Sequence, residues 1–267
     1  MNFLLLCSKT DIASVNFFET LTSNHWLIKV TEEAYTLEKK KKNKIYLVIS
    51  EKTHLYMDDS DISYYEQNLG VVFDFVLFLS RHSTQSEIKQ KIISVHSIGN
   101  WGKAELGGKD ESLVKTDPIL ARSLLLELHD KKPKKLKFEV KQEATHHGPF
   151  LEKPALFVEI GSDRDAWENK DVAFFVSATV ISVLSRYDKN KIKEENNWVE
   201  AVGYGGNHYC TKFNRATFDK KSKYCFGHII PDYAIKDRQK LRLLIEQAKE
   251  KSNSSLVLDE NLKKLTF

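Results

Sequence analysis

Runs rich in β-branched and aromatic residues recur along the chain with helical patterns between them, and no other feature restricts the possible folds as much. The strand-like runs cover residues 2–7, 44–50, 71–80, 91–97, 136–143, 155–160, 198–204 and 225–230. Several are apolar throughout, as strands covered on both faces must be. Thr116-Asp117-Pro118 joins a helix cap to a proline suited to the first turn. Leu120, Leu124 and Leu128 then repeat at i, i+4 and i+8 before Pro133, which predicts an amphipathic helix. A largely buried helix is expected over 165–187, where Val172, Val176, Val180, Val183 and Leu184 keep helical spacing. Another is expected over 236–251, with Leu241, Leu244, Ile245 and Ala248 on one side, and an earlier one over 11–21. Strands and helices alternating at uneven spacing predict an α/β fold, a mixed β-sheet flanked by helices. Residues 39–43 and 188–197 read as loops, the second because Ile192 is its only apolar residue. Neither is long enough to part domains, so a single domain over 1–267 is expected.

A chain of 267 residues can bury one large core, and 41% hydrophobic with 29% charged residues excludes disordered, collagen-like and disulfide-framework classes. The opening run Phe3-Leu4-Leu5-Leu6-Cys7 is too short for a signal segment and has no basic residue ahead of it. The longest apolar stretches, 71–79 and 172–184, fall short of the ~20 residues a spanning helix needs. A cytoplasmic protein with no membrane partner is expected. Cys7, Cys210 and Cys225 form no Cys-x-x-Cys pair, and their odd number argues for reduced core thiols. Lysine and arginine total 41 against 37 acidic residues, a net charge of +4 that declares no partner by itself. The basic residues are clustered, however, at 39–42, 131–137, 189–193, 220–223 and along the 236–251 helix. Gathered on one face they would attract phosphate; singly, each is solvated surface.

The familiar phosphate fingerprints fail. Gly108-Lys109 has Lys103 and Asp110 where a Walker loop needs glycine and a hydroxyl, and Gly203-Tyr204-Gly205 has His208 where a dinucleotide loop needs its third glycine. Histidines carry more information. His82, His96, the pair His146 and His147, and His208 each lie at or after the carboxyl end of a predicted strand, where open α/β sheets bind ligands. Imidazole is suited both to proton transfer near neutral pH and to metal ligation. In the segment Glu143-Ala144-Thr145-His146-His147-Gly148-Pro149, an extended chain would turn the adjacent histidines to opposite faces. Sharing one metal therefore requires a bend, which Gly148-Pro149 can supply. Glu159 and Asp163 offer carboxylates nearby. A competing arrangement, His208-x-Cys210 with Cys225-x-x-His228, would make a structural zinc site, although its first spacing is unusual.

Five ordered segments resemble the archaeal- and plant-type D-aminoacyl-tRNA deacylases: Ser80-Arg81-His82; Val95-His96 with Gly99-Asn100-Trp101; residues 143–149; Gly205-Gly206-Asn207-His208-Tyr209; and Gly227-His228-Ile229-Ile230-Pro231. The resemblance implies hydrolysis of the ester joining a D-amino acid to the 3′ end of tRNA, zinc as cofactor, and a fold similar to the peptidyl-tRNA hydrolase and nucleoside phosphorylase group. On that reading His82, His96, His147 and Glu143 are the candidates for acid–base work, and His146, His147, His208, His228 and Glu159 for metal ligation. Trp101 either stacks on the terminal adenine or caps the core. Lys134, Lys135, Lys240 and Arg242 would follow the tRNA backbone, and the protein is taken as a monomer. With no Gly-x-Ser-x-Gly elbow, direct attack by water is expected, assisted by zinc or by the neighbouring ribose hydroxyl. Two other readings stand beside this one: a zinc hydrolase of a small acyl substrate, and a tRNA-binding module without activity.

Overall fold

Apolar runs covered on both sides become the strands of one large sheet, and the amphipathic segments between them become its cover. The computed structural model describes residues 1–24, 27–37, 42–84, 87, 89–234 and 238–266. The chain runs β1 (Asn2–Ser8), α1 (Ile12–Ser23), β2 (Leu27–Lys29), β3 (Ala34–Leu37), β4 (Lys44–Ser50), α2 (Asp59–Leu69), β5 (Phe75–Ser83), β6 (Ile92–His96), α3 (Pro118–Lys131), β7 (Glu139–Gln142) and β8 (Ala155–Ser162). It continues through α4 (Arg164–Trp167), α5 (Lys170–Arg186), α6 (Lys189–Asn196), β9 (Val199–Tyr204), α7 (Thr211–Phe218), β10 (Tyr224–Ile230), α8 (Arg238–Lys251) and β11 (Val257–Asp259). The large sheet has the order β2-β3-β4-β1-β5-β8-β6-β7, and a smaller one has β10-β9-β11. β4, β1, β5 and β8 are mutually parallel, β6 runs antiparallel to β8, and β7 follows β6. The sheet is mixed, as expected.

Residues paired across neighbouring strands share a face, and the two faces of β5, β8 and β6 differ sharply. One carries Leu77, Leu79, Leu156, Val158, Ile160, Ile93 and Val95, all packed beneath α1, α3 and α5 in the principal core. The other begins apolar, with Val76, Phe78, Ala155 and Phe157 in a second cluster. Further along the same strands it becomes Ser80, His82, Ser94, His96 and Glu159, none more than 3% exposed. Burying this many polar side chains costs stability unless they satisfy one another.

Local differences from the sequence reading have identifiable causes. Residues 188–197 contain α6 rather than a loop; Asp188 caps its first turn, Asn197 ends it in the left-handed conformation, and none of its residues is buried. The helix expected over 165–187 is two helices, because Asn169 caps a fresh start at Lys170. Lysines 39–41 and Lys236 lie outside the described residues. No described helix is long and apolar enough to cross a membrane.

Candidate active site

The polar part of the sheet face is assembled by strand direction. β5 brings His82 level with Gly161 of β8, while the antiparallel β6 brings His96 level with Phe157, and Glu159 lies between them. The centre therefore sits over the middle of β8, not in a crevice along one carboxyl edge. Gln142, at the end of β7, is tied to the smaller sheet: its Nε2 donates to Phe226 O (2.8 Å), and its backbone N–H donates to Asn214 Oδ1 (2.7 Å). The following residues continue the seam, Ala144 N–H donating to His208 O (2.9 Å) and Thr145 N–H to Ile229 O (3.0 Å). Glu143 is thereby held between the two sheets with its side chain fully buried.

Two carboxylates and an imidazole form the inner group. His82 Nδ1 lies 3.1 Å from Glu143 Oε1 and 3.5 Å from Glu159 Oε2; Ser80 donates to Glu159 Oε1 at 2.6 Å. Burial alone would lower the pKa of His82, but the paired carboxylates outweigh it and hold the imidazole up to about 11. Burial likewise opposes ionisation of Glu143 and Glu159. His208 and His82 nevertheless keep Glu143, and His82 and His96 keep Glu159, well below the usual carboxylate range.

Three further imidazoles share one mode of attachment. Each places Nδ1 on a backbone carbonyl: His96 on Ser97 O (3.1 Å), His146 on Ala144 O (2.8 Å) and His147 on Gly148 O (2.7 Å). A carbonyl only accepts, so Nδ1 carries the proton and the neutral ring keeps its lone pair on Nε2. Ligand atoms of these three residues lie within 4.8 Å of one another. A bend does bring the pair together, with the left-handed residue at His147 (φ +42°), and the adjacent His146 and His147 rings pack 4.3 Å apart, centroid to centroid. Two backbone bonds from the 99–113 loop hold it, Gly99 N–H to His147 O and Gly148 N–H to Leu106 O, both 3.0 Å. The approach is so close that a Cβ on Gly148 would stand 2.3 Å from the Gly107 carbonyl carbon.

These features fit a metal ion. His96 Nε2 and both Glu143 oxygens are buried and make no hydrogen bond within the protein, although imidazoles lie close enough to Glu143 for charge interaction. Burial, reinforced by His96, pulls His147 down to about 4 and His146 well below its ordinary value, so both are neutral near pH 7. Against burial, Glu159 raises His96, so a metal there competes with a proton. Glu143, His146 and His208 form a second group of ligand type, sharing His146 with the first.

Other candidates fall elsewhere. His228 is fully buried, and both of its ring nitrogens are engaged, Nδ1 with Thr145 Oγ1 and Nε2 with Val114 O, each at 3.0 Å. Burial lowers its pKa to about 3, and it props the core instead of joining the ligand groups. Trp101 caps the core, only 7% exposed, with its indole N–H donating to Thr145 O at 2.8 Å. It has no open face for an adenine. The cysteine alternative also fails: Cys210 and Cys225 lie in separate apolar clusters, and no metal-competent group among the described residues contains a thiol. Asp163 caps α4. Lys240 pairs with Glu111 on the 99–113 loop beside the centre, and Arg242 is exposed on the same helix. Lys134 and Lys135 follow α3, and Lys135 is 3.6 Å from Asp171 of α5, on the opposite side of the sheet. Sequence reasoning passed over Ser80 and Tyr209, which touch Glu159 and His82, although both stand inside segments it singled out.

A mixed α/β fold with imidazoles and carboxylates buried on one sheet face is a framework on which an enzyme site can be built from side chains of many elements. Residues 69–265 match the family model described as D-aminoacyl-tRNA deacylase. The chain belongs to this family. Curated relatives named D-aminoacyl-tRNA deacylase include one from Thermococcus onnurineus, 32% identical over 95% of this chain and 89% of the relative. Another, from Pyrococcus furiosus, is 33% identical over 92% and 87%. A crystal structure of a conserved protein of unknown function superposes with a TM-score of 0.80 at 27% identity, covering 96% of this chain and 85% of that one.

Proposed function

We propose that this protein hydrolyses the ester bond joining a D-amino acid to the 3′ end of tRNA, releasing both, and that the buried centre beside β8 is where it does so. Family membership supports the reaction. The observation that carries the site is the set of three imidazoles pinned through Nδ1, with their Nε2 lone pairs left for a ligand. His96, His146 and His147 would hold a zinc ion. When bound, zinc supplies a Lewis acid that polarises the ester carbonyl and makes water more nucleophilic.

The remaining chemistry belongs to the chain. Glu143 is ionised, and its unbonded oxygens accept a hydrogen bond from the attacking water and fix its direction. A carboxylate held so far below its ordinary pKa is a weak base, so orientation is its larger contribution. His82, kept cationic by Glu143 and Glu159, places positive charge in a site shielded from water, where it stabilises a developing oxyanion more than it would in solvent. α8, through Lys240 and Arg242, lies on the side from which tRNA would approach. The test is release of D-tyrosine from D-Tyr-tRNA with L-Tyr-tRNA spared. Chelation should abolish release and added zinc restore it; equal rates on both enantiomers, or full activity in protein shown free of metal, would refute the respective part.

A further inference from the structure

The mouth of the centre carries two phenols that the mechanism above does not use. Glu143 presents one oxygen to each of two imidazoles, Oε1 to His82 Nδ1 at 3.1 Å and Oε2 to His208 Nε2 at 3.3 Å. Each ring gives its other nitrogen to a tyrosine hydroxyl: His82 Nε2 lies 3.4 Å from Tyr209, and His208 Nδ1 lies 3.1 Å from Tyr233. Exposure climbs along the second line, from none at the Glu143 side chain to 31% at that of His208 and 58% for Tyr233. A buried carboxylate is thus connected to a hydroxyl at the surface. His208 Nδ1 and the Tyr233 hydroxyl share one hydrogen bond, whose direction follows the tautomer of the ring. In either direction the phenol oxygen keeps a lone pair for an outside donor.

We propose that Tyr233 is a substrate-binding residue that accepts a hydrogen bond from the 2′-hydroxyl of the terminal ribose of tRNA. This rests on the deacylase reading. The nucleotide is the bulky part of the substrate and cannot pass beneath the buried imidazoles, so its ribose stays at the mouth, where Tyr233 stands. The 2′-hydroxyl is on the carbon next to the esterified one, so holding it fixes the ester over the centre. Tyr209, half-buried and in contact with the inner imidazole His82 instead, serves as the internal comparison.

The test uses 3′-amide-linked D-tyrosyl-tRNA analogues, which resist hydrolysis, with and without the 2′-hydroxyl. Loss of that hydroxyl should weaken binding to the wild type about tenfold, the worth of one hydrogen bond, and should leave binding to Tyr233→Phe unchanged. Tyr209→Phe should retain the full tenfold dependence. The inference is overturned if Tyr233→Phe still loses affinity with the 2′-hydroxyl, or if the wild type is indifferent to it. Removing an oxygen from a residue this exposed leaves the fold intact, which the thermal midpoint checks. A parallel D-Tyr-tRNA hydrolysis assay with wild type separates this failure from failure of the deacylase reading.

Discussion

The two faces of β5, β8 and β6 are made from alternate residues of the same three strands, yet they obey different rules. On the helix-covered face any neighbour of suitable shape will do; Leu77, Leu156 or Val158 needs only to be apolar and of fitting volume, and full burial is worth roughly 1.5–3 kcal/mol apiece. On the other face no residue stands alone. His82 is cationic because of Glu143 and Glu159, and these are ionised because of His82 and its fellow imidazoles. One face stores stability that the other spends on chemistry, which is how a fold tolerates several buried ionised groups.

The largest expected effect separates the faces outright. His147→Ala should lower kcat/KM for D-Tyr-tRNA by about 10³ or more, equivalent to about 4 kcal/mol, and remove bound metal while the fold persists. Leu156→Ala on the opposite face should cost about 2–5 kcal/mol of unfolding free energy and leave kcat of the folded fraction nearly unchanged. Single-turnover kinetics, elemental analysis and urea titration together decide it; a His147 variant with full activity would erase the distinction.

Acid provides a graded version. His228 has a folded pKa of about 3, below its unfolded value near 6.5, so between those values the unfolded chain binds the additional proton. Stability is therefore complete above pH 6.5 and is lost as pH falls toward 3, at up to about 1.4 kcal/mol per unit for each such histidine. His54 and His147, both lowered to about 4 by burial, add to the slope. Replacing His228 by Gln should flatten the pH dependence of urea midpoints by up to one proton; an unaltered slope would show that the ring titrates normally.

The smallest effect concerns charge at a distance. Reversal of Lys240 and Arg242 should raise KM for charged tRNA about three- to tenfold and reduce the salt dependence by about one to two units, with kcat preserved. Reversal of Lys134 and Lys135, on the far side of the sheet, should do neither. Equal responses from the two pairs would mean that tRNA wraps both faces.

The helix-covered face was legible because its periodicity is local: Leu120, Leu124 and Leu128 announce α3, and continuous apolar runs announce the buried strands. Several helices escaped for want of apolar content. α2 has few buried residues, although Asp58 with Asp61 forms a capping box and Gly70 closes its end, signals present in the sequence and not weighed. The centre was legible in residue types but not in membership. His228 stands within a register shift between Phe226 and Ile229, in a strand buried from Cys225 to Ile230, and only its packing partners reveal that it faces away from the ligand groups. His146 and His147 share a side because His147 takes a left-handed conformation, which extended-strand periodicity cannot foresee. Trp101 stayed open between stacking platform and core cap because its partner, the Thr145 carbonyl, is a backbone atom with no signature of its own.

The seam at residues 142–145 has a consequence for how the molecule is made. These residues are joined on one side to a strand that pairs near residue 95 and on the other to backbone atoms of His208, Phe226 and Ile229. Local helices can form as soon as they leave the ribosome, but partners so distant in sequence meet only after the intervening chain exists. During synthesis, then, Glu143 stays in water, where a carboxylate ionises unaided, and it is enclosed beside His208 only once residue 230 or so has emerged. A chain stopped before His208 lacks both that imidazole and the backbone partners of the 142–145 segment, so this centre is complete only when the last strands have been made.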